Sequence, residues 1–142
     1  MANYYASART NYVRVTDLEG LKEVLSRFPI GIHSQYAESD DPVYCFLCED
    51  ADGSGWPYCA YDEEDREILF SWENTVMPFV KVGEVLVVQE VGAEKLRYLV
   101  GYSEAYIRRE DGRVESCHIN IDDIYDKAKK LFDVGEIADA TY

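Results

Sequence analysis

Three features of the 142-residue sequence predict an α+β fold with a mainly antiparallel sheet and about three helices. Strand-like runs follow one another with only Gly-, Asp- or Pro-rich turns between them. Three stretches carry apolar residues at helical spacing. Strands and helices do not alternate strictly, as a parallel sheet with crossover helices would require. The length fits one domain, 1–142, with residues 1–10 as a short arm and 133–142 as a tail.

Asn11-Tyr12-Val13-Arg14-Val15 alternates polar and apolar side chains and reads as the first strand. Thr16-x-x-Glu19 has the form of a capping box. Leu18, Leu21, Val24, Leu25 and Phe28 then give one apolar stripe of a helix that Pro29 ends. Ile30 to Tyr36 and the strongly apolar Val43 to Cys48 read as strands, joined by an acidic loop. A loop at 49–57 leads to a short strand, Tyr58 to Tyr61. Asp62-Glu63-Glu64-Asp65 precedes Ile68, Leu69, Trp72 and Val76, so the acids are expected at a helix N-terminus, where they complement the dipole. Pro78 marks the end of that helix.

Glu84 to Val91 and Leu96 to Arg108 read as strands, the second with Tyr98, Val100, Tyr102 and Tyr106 on one face. Glu110-Asp111-Gly112 signals a hairpin to Val114–Ile119. Asn120-x-x-Asp123 opens a last amphipathic helix with Ile121, Ile124, Tyr125, Ala128, Leu131 and Phe132 on its apolar face. Lys127, Lys129 and Lys130 fall near its C-terminus, where the dipole favours cations. This order suggests a ferredoxin-like split βαβ arrangement, loosely duplicated.

Charge is the dominant compositional signal. The chain has 14 Lys+Arg against 28 Asp+Glu, a net of −14. Residues 38–67 hold eleven of the acids and one base, Arg66. A surface of this sign repels phosphates and anionic lipid, so direct nucleic-acid or membrane binding is disfavoured. No apolar run approaches the ~18 residues of a membrane span, and the first residues lack the pattern of a signal peptide. The expected location is the cytoplasm of a bacterial host, where Cys45, Cys48, Cys59 and Cys117 stay reduced.

Candidate chemistry is sparse. Cys45-x-x-Cys48 has no second pair, and residues three apart on a strand face opposite ways, so small core thiols are the simpler reading than zinc with His33 or His118. Asp50-Ala51-Asp52-Gly53-Ser54-Gly55 matches the start of a calcium-binding EF-hand loop, but Tyr61 stands at the twelfth position, where a bidentate Glu is needed. A tight acidic hairpin loop is the preferred reading, with a weak calcium site as the alternative. His33 and His118 lie in no catalytic signature, and no phosphate-binding Gly-rich loop or H-E-x-x-H is present. Neither a cofactor nor an enzyme activity is expected. The stripe of Tyr98, Tyr102 and Tyr106 lacks the Lys and Arg of a base-stacking platform and fits a packed sheet face.

What remains is a protein-binding patch. Carboxylates steer a basic partner and aromatic anchors supply contact area. The candidate partner-binding residues are Glu38, Asp40, Asp41, Glu49, Asp50, Asp52, Asp62, Glu63, Glu64, Asp65 and Glu67, with Trp56, Tyr58 and Tyr61 as anchors. Trp56 has a structural alternative, the closure of its own loop. The partner expected is the basic surface of a nucleic-acid-binding protein or complex, and the reading leaves room for a homodimer.

The segments Ala8-Arg9-Thr10-Asn11-Tyr12-Val13-Arg14-Val15 and Val91-Gly92-Ala93-Glu94-Lys95-Leu96-Arg97-Tyr98-Leu99-Val100-Gly101-Tyr102 resemble a family of small uncharacterised acidic proteins carried by phages and plasmids. In general character the chain is also similar to anti-CRISPR and anti-restriction inhibitors, several of which imitate DNA with rows of carboxylates. The resemblance carries no catalytic motif. It implies an inhibitor of a host-defence complex that occupies a DNA-binding surface. A non-inhibitory interaction or regulatory module of a mobile element is the alternative.

Overall fold

The computed structural model describes residues 4–35, 38–50, 53, 55–94 and 98–140. Its sheet has six strands, β1 (Tyr4–Thr10), β2 (Ile30–Gln35), β3 (Val43–Cys48), β6 (Val85–Glu94), β7 (Tyr98–Arg108) and β8 (Val114–Asn120), in the order β2-β3-β1-β6-β7-β8. Every neighbouring pair is antiparallel. A separate two-stranded hairpin joins β4 (Cys59–Tyr61) to β5 (Glu67–Leu69). Two α-helices, α1 (Leu18–Leu25) and α2 (Asp123–Phe132), and a wide helical turn, Trp72–Val76, complete the α+β architecture.

The first four strands of the large sheet have the split βαβ order. β1 and β2 both run antiparallel to β3, which lies between them, and α1 connects them. β3 and β6 likewise flank β1. The arrangement occurs once rather than twice: β7 and β8 extend it from β6 by hairpins.

Residues 4–10 are therefore a central strand, not an arm. Tyr4, Ala6, Ala8 and Thr10 alternate with more exposed neighbours, and the Ala6 amide donates to the Gly53 carbonyl. The chain at 11–15 contributes only two isolated bridges, Val13 to Tyr44 and Val15 to Val80. Its alternation was a true burial signal, since Val13 is buried. Asp17, not Thr16, caps α1 by accepting from the Gly20 N–H, while the Thr16 hydroxyl donates to the Phe79 carbonyl.

One face of the sheet carries the core. Leu21 and Leu25 of α1, Phe28, Phe46 of β3, Trp72, Val76, Met77 and Leu86 and Val88 of β6 pack together. Phe46, fully buried, alone contributes on the order of 2–3 kcal/mol by removal from water. Phe28, Phe70, Trp72 and Trp56 form a chain of edge-on ring contacts with centroids 4.7–5.2 Å apart. Among the described residues no helix packs across the opposite sheet face. α2 buries none of its residues, and Ile124, Leu131 and Phe132 of its expected core stripe are more than half exposed. Among the described residues no helix is long and apolar enough to cross a membrane.

Candidate functional site

The acidic segment divides into two groups. β2 and β3 form a hairpin whose turn holds Glu38, Asp40 and Asp41, all exposed. Glu49 and Asp50 sit at the other end of β3, about 20 Å away by strand rise. Asp41 is neutralised by Arg14, whose guanidinium also meets Glu84 at 2.6 Å. Glu49 lies 3.2 Å from His33, and its amide bonds to Pro29. Asp52 lies outside the described residues, as do Ala51 and Ser54 of the EF-hand-like stretch.

The second group gathers on the β4–β5 hairpin. Residues 62–65 form its turn, not the start of a helix. Asp62 makes the turn itself: its Oδ1 accepts from the Glu64 and Arg66 amides and its Oδ2 from the Arg66 guanidinium. The Arg66 amide above all, with that guanidinium, holds the Asp62 carboxyl below the usual carboxylate range. Asp65 takes the left-handed conformation, φ 57°, which Asp tolerates. The helical turn starts later, where the Ser71 hydroxyl accepts from the Asn74 amide. Phe70, next after β5, meets Phe28 edge-on at 5.2 Å, which puts the base of the hairpin near Pro29 and Glu49.

Ala60 and Ile68 pack inward against the core, so the register turns Tyr61 and Glu67 outward. Tyr58, Tyr61 and Leu69 are 76%, 64% and 56% exposed. They share the hairpin with exposed Glu63, Glu64, Asp65 and Glu67. Arg66 meets Glu64 at 3.3 Å as well as Asp62, leaving the other three acids without an ion pair among the described residues. The hairpin is thus a projecting platform of two phenols and a leucine fringed by carboxylates.

Trp56 is not part of that platform. Its ring stands edge-on to Trp72 at 4.7 Å, and its indole N–H donates to the Gln89 carbonyl. Its amide donates to Oε1 of Glu90 at 2.7 Å. Glu90 is a buried carboxylate, 8% exposed, which the sequence reading did not single out. Tyr4 donates to its Oε2 at 3.3 Å, and Tyr102 hydrogen-bonds to it as well. Burial first, then the charge of Glu90, pushes both phenols above the ordinary tyrosine range. Gly55 lies directly on this carboxylate at φ 86°, where a Cβ would collide with it. The Cys48 thiol donates to the Gly55 carbonyl at 2.7 Å. Glu90 thereby ties the loop that leads into the hairpin to the sheet.

Cys45 and Cys48 face opposite sides of β3, Cys45 buried and Cys48 half-buried, so the C-x-x-C spacing makes no chelating pair. Burial, aided by the nearby carboxylates, raises the Cys48 thiol above its usual range. Among the described residues no three His, Cys, Asp or Glu side chains converge on a metal-sized site. An open, mainly apolar trough of about 700 Å³ lies near Arg9, Leu47, Val91 and Ile121. Comparison with protein-family models, curated proteins and solved structures finds no match to this chain.

Proposed function

We propose that this protein is an interaction protein of the inhibitor type, whose acidic hairpin docks on a cationic, nucleic-acid-binding surface of a host-defence complex and excludes the nucleic acid. One observation carries the reading: Tyr58, Tyr61 and Leu69 project beside Glu63, Glu64, Asp65 and Glu67 on an element that needs none of them for its own core contacts. Large side chains held out in water have the character of interface anchors, and a carboxylate fringe selects a basic partner and speeds encounter. Asp62 serves the hairpin turn, and Trp56 serves the loop. The contact surface is accordingly smaller than the whole 38–67 segment.

The separation of Glu38–Asp41 from the hairpin favours a second reading, an interaction module that does not compete with nucleic acid. A row of carboxylates following a DNA backbone would have to run unbroken between the two groups. The test is a competition experiment with purified CRISPR effector and restriction complexes, each loaded with labelled DNA. The inhibitor reading expects the protein to displace DNA, and expects Glu63→Lys, Glu64→Lys, Glu67→Lys with Asp65→Asn to lose displacement while keeping the wild-type unfolding midpoint. A ternary complex with bound DNA would select the second reading. Displacement unaffected by the four substitutions would remove the hairpin from the mechanism.

A further inference from the structure

We infer that β8 is a self-pairing edge, and that two copies of this chain join there about a two-fold axis at Cys117 to make one continuous sheet. β8 ends the strand order, so one side of its backbone has no strand beside it among the described residues. The other edge, β2, is buried at Ile30 and Gly31, whereas β8 is exposed from Glu115 through Asn120. Nothing in β8 blocks pairing: it has no proline, no bulge in its seven-pair register with β7, and no lysine.

The register fixes which groups are free. Ile121 donates to the Gly101 carbonyl and Arg109 to the Arg113 carbonyl, so the odd-numbered residues from 113 to 121 direct their amides and carbonyls at β7. Val114, Ser116 and His118 therefore direct theirs at the open side. In an antiparallel joint centred on Cys117, Ser116 of each copy exchanges both backbone bonds with His118 of the other. Glu115 then faces Ile119 of the second copy rather than another carboxylate. Cys117 meets its own counterpart at a non-hydrogen-bonded position, where Cα atoms are about 4.5 Å apart.

Charge and area both favour a second copy as the occupant. The chain carries −14, yet residues 98–120 hold four acids and three bases, and Glu115 is paired with Arg109 at 2.7 Å. On this stretch two such acidic molecules can meet without strong repulsion. α2 leaves β8 at its Asn120 end, so the axis sets each α2 beside the Val114 end of the other copy. Ile119, Ile121, Ile124, Leu131 and Phe132 are 50–71% exposed. Together they offer several hundred Å² of apolar surface per copy, a large share of the roughly 800 Å² per partner in a standard stable interface.

The test is the mass of the full chain in solution, by light scattering and sedimentation over a range of concentrations, with diamide oxidation of the thiols as a register probe. The expected species is two chains of 16.3 kDa each. Diamide, its azo bond taking up the two thiol hydrogens, should link the copies covalently, and Cys117→Ser should abolish the link without abolishing the dimer. A 4.5 Å Cα separation is within disulfide reach. His118→Pro removes an amide that points away from β7, and should raise the dissociation constant at least about tenfold. Cys117→Asp, which sets two carboxylates on the axis, should do the same without touching the backbone, and decides the matter if the proline variant does not fold. A wild-type chain that stays monomeric at every concentration overturns the inference. So does a dimer that survives both substitutions or yields no Cys117 link. Neither result bears on the acidic hairpin, which lies on another element.

Discussion

Replacing Glu90 with Ala should release the loop that carries Trp56 and lower stability by about 3 kcal/mol. The figure comes from the contacts. Trp56 loses a half-buried amide-to-carboxylate bond of 2.7 Å, and a hydrogen bond to a charged group is worth ~1.5–3 kcal/mol. Tyr4 and Tyr102 lose their acceptor too, but both reach water and recover part of that loss. Removal of the side chain also leaves a gap beside Gly55. Glu90→Gln keeps an acceptor oxygen in place and should cost only about 1 kcal/mol. Urea unfolding followed by tryptophan fluorescence measures both. With a slope of ~1.5 kcal/mol/M, the alanine variant should unfold at about 2 M less urea. Trp56 and Trp72 stand 4.7 Å apart, so detachment of the loop should alter native-state emission before global unfolding. An alanine variant within about 0.5 kcal/mol of the wild type, with unchanged emission, would refute the claim that this carboxylate holds the loop.

Three further outcomes are expected. Phe46→Ala, at a fully buried site, should cost about 3–5 kcal/mol in the same urea assay, more than any change on the hairpin surface. Asp62 has a folded-state pKa below its unfolded value, so its contribution is present above about pH 4 and is lost as the pH falls through the lower folded value; amide exchange on the hairpin should accelerate there, and Asp62→Ala should remove that pH dependence. Tyr102 and Tyr106 have raised folded-state pKa values, chiefly from burial, so their contribution is present below about pH 10 and is lost as the pH climbs toward the folded values; an ultraviolet titration should show these phenols ionising late, together with alkaline unfolding, and a Tyr102→Phe, Tyr106→Phe double variant should lose that late step.

Long periodic strands were legible in the sequence. β3 agrees with its apolar run, β7 and β8 with the Glu110-Asp111-Gly112 hairpin signal between them, and α1 with its 3.6-residue stripe, which buries Leu21 and Leu25. β1 was not legible, because its inward residues Ala6, Ala8 and Thr10 are small or polar. Its burial comes from partners distant in sequence. The acids 62–65 fit either a helix start or a side-chain-capped turn, and the hairpin won because Ala60 and Ile68 reach the core only when the chain reverses between them. For the candidate site, charge and aromatic content identified Tyr58, Tyr61 and the acids of the turn. They left open that Trp56 closes its own loop, as it does, but not the group that holds it, since a lone Glu at position 90 in a strand does not announce a tie to a loop some thirty residues upstream. The apolar face of α2 was correctly patterned, but pattern alone does not say that the face stays exposed among the described residues.

The position of β1 has a consequence for how the protein is made. Its ladder with β6 runs from Thr10 opposite Val88 to Tyr4 opposite Glu94. The first strand to leave the ribosome thus waits 78 residues (88 minus 10) before its main partner begins to emerge, some 4–16 s at ordinary translation speeds. Until then the two halves of the sheet have no common member. β1 is the rivet of the fold, and translation supplies it long before the strand that fastens it.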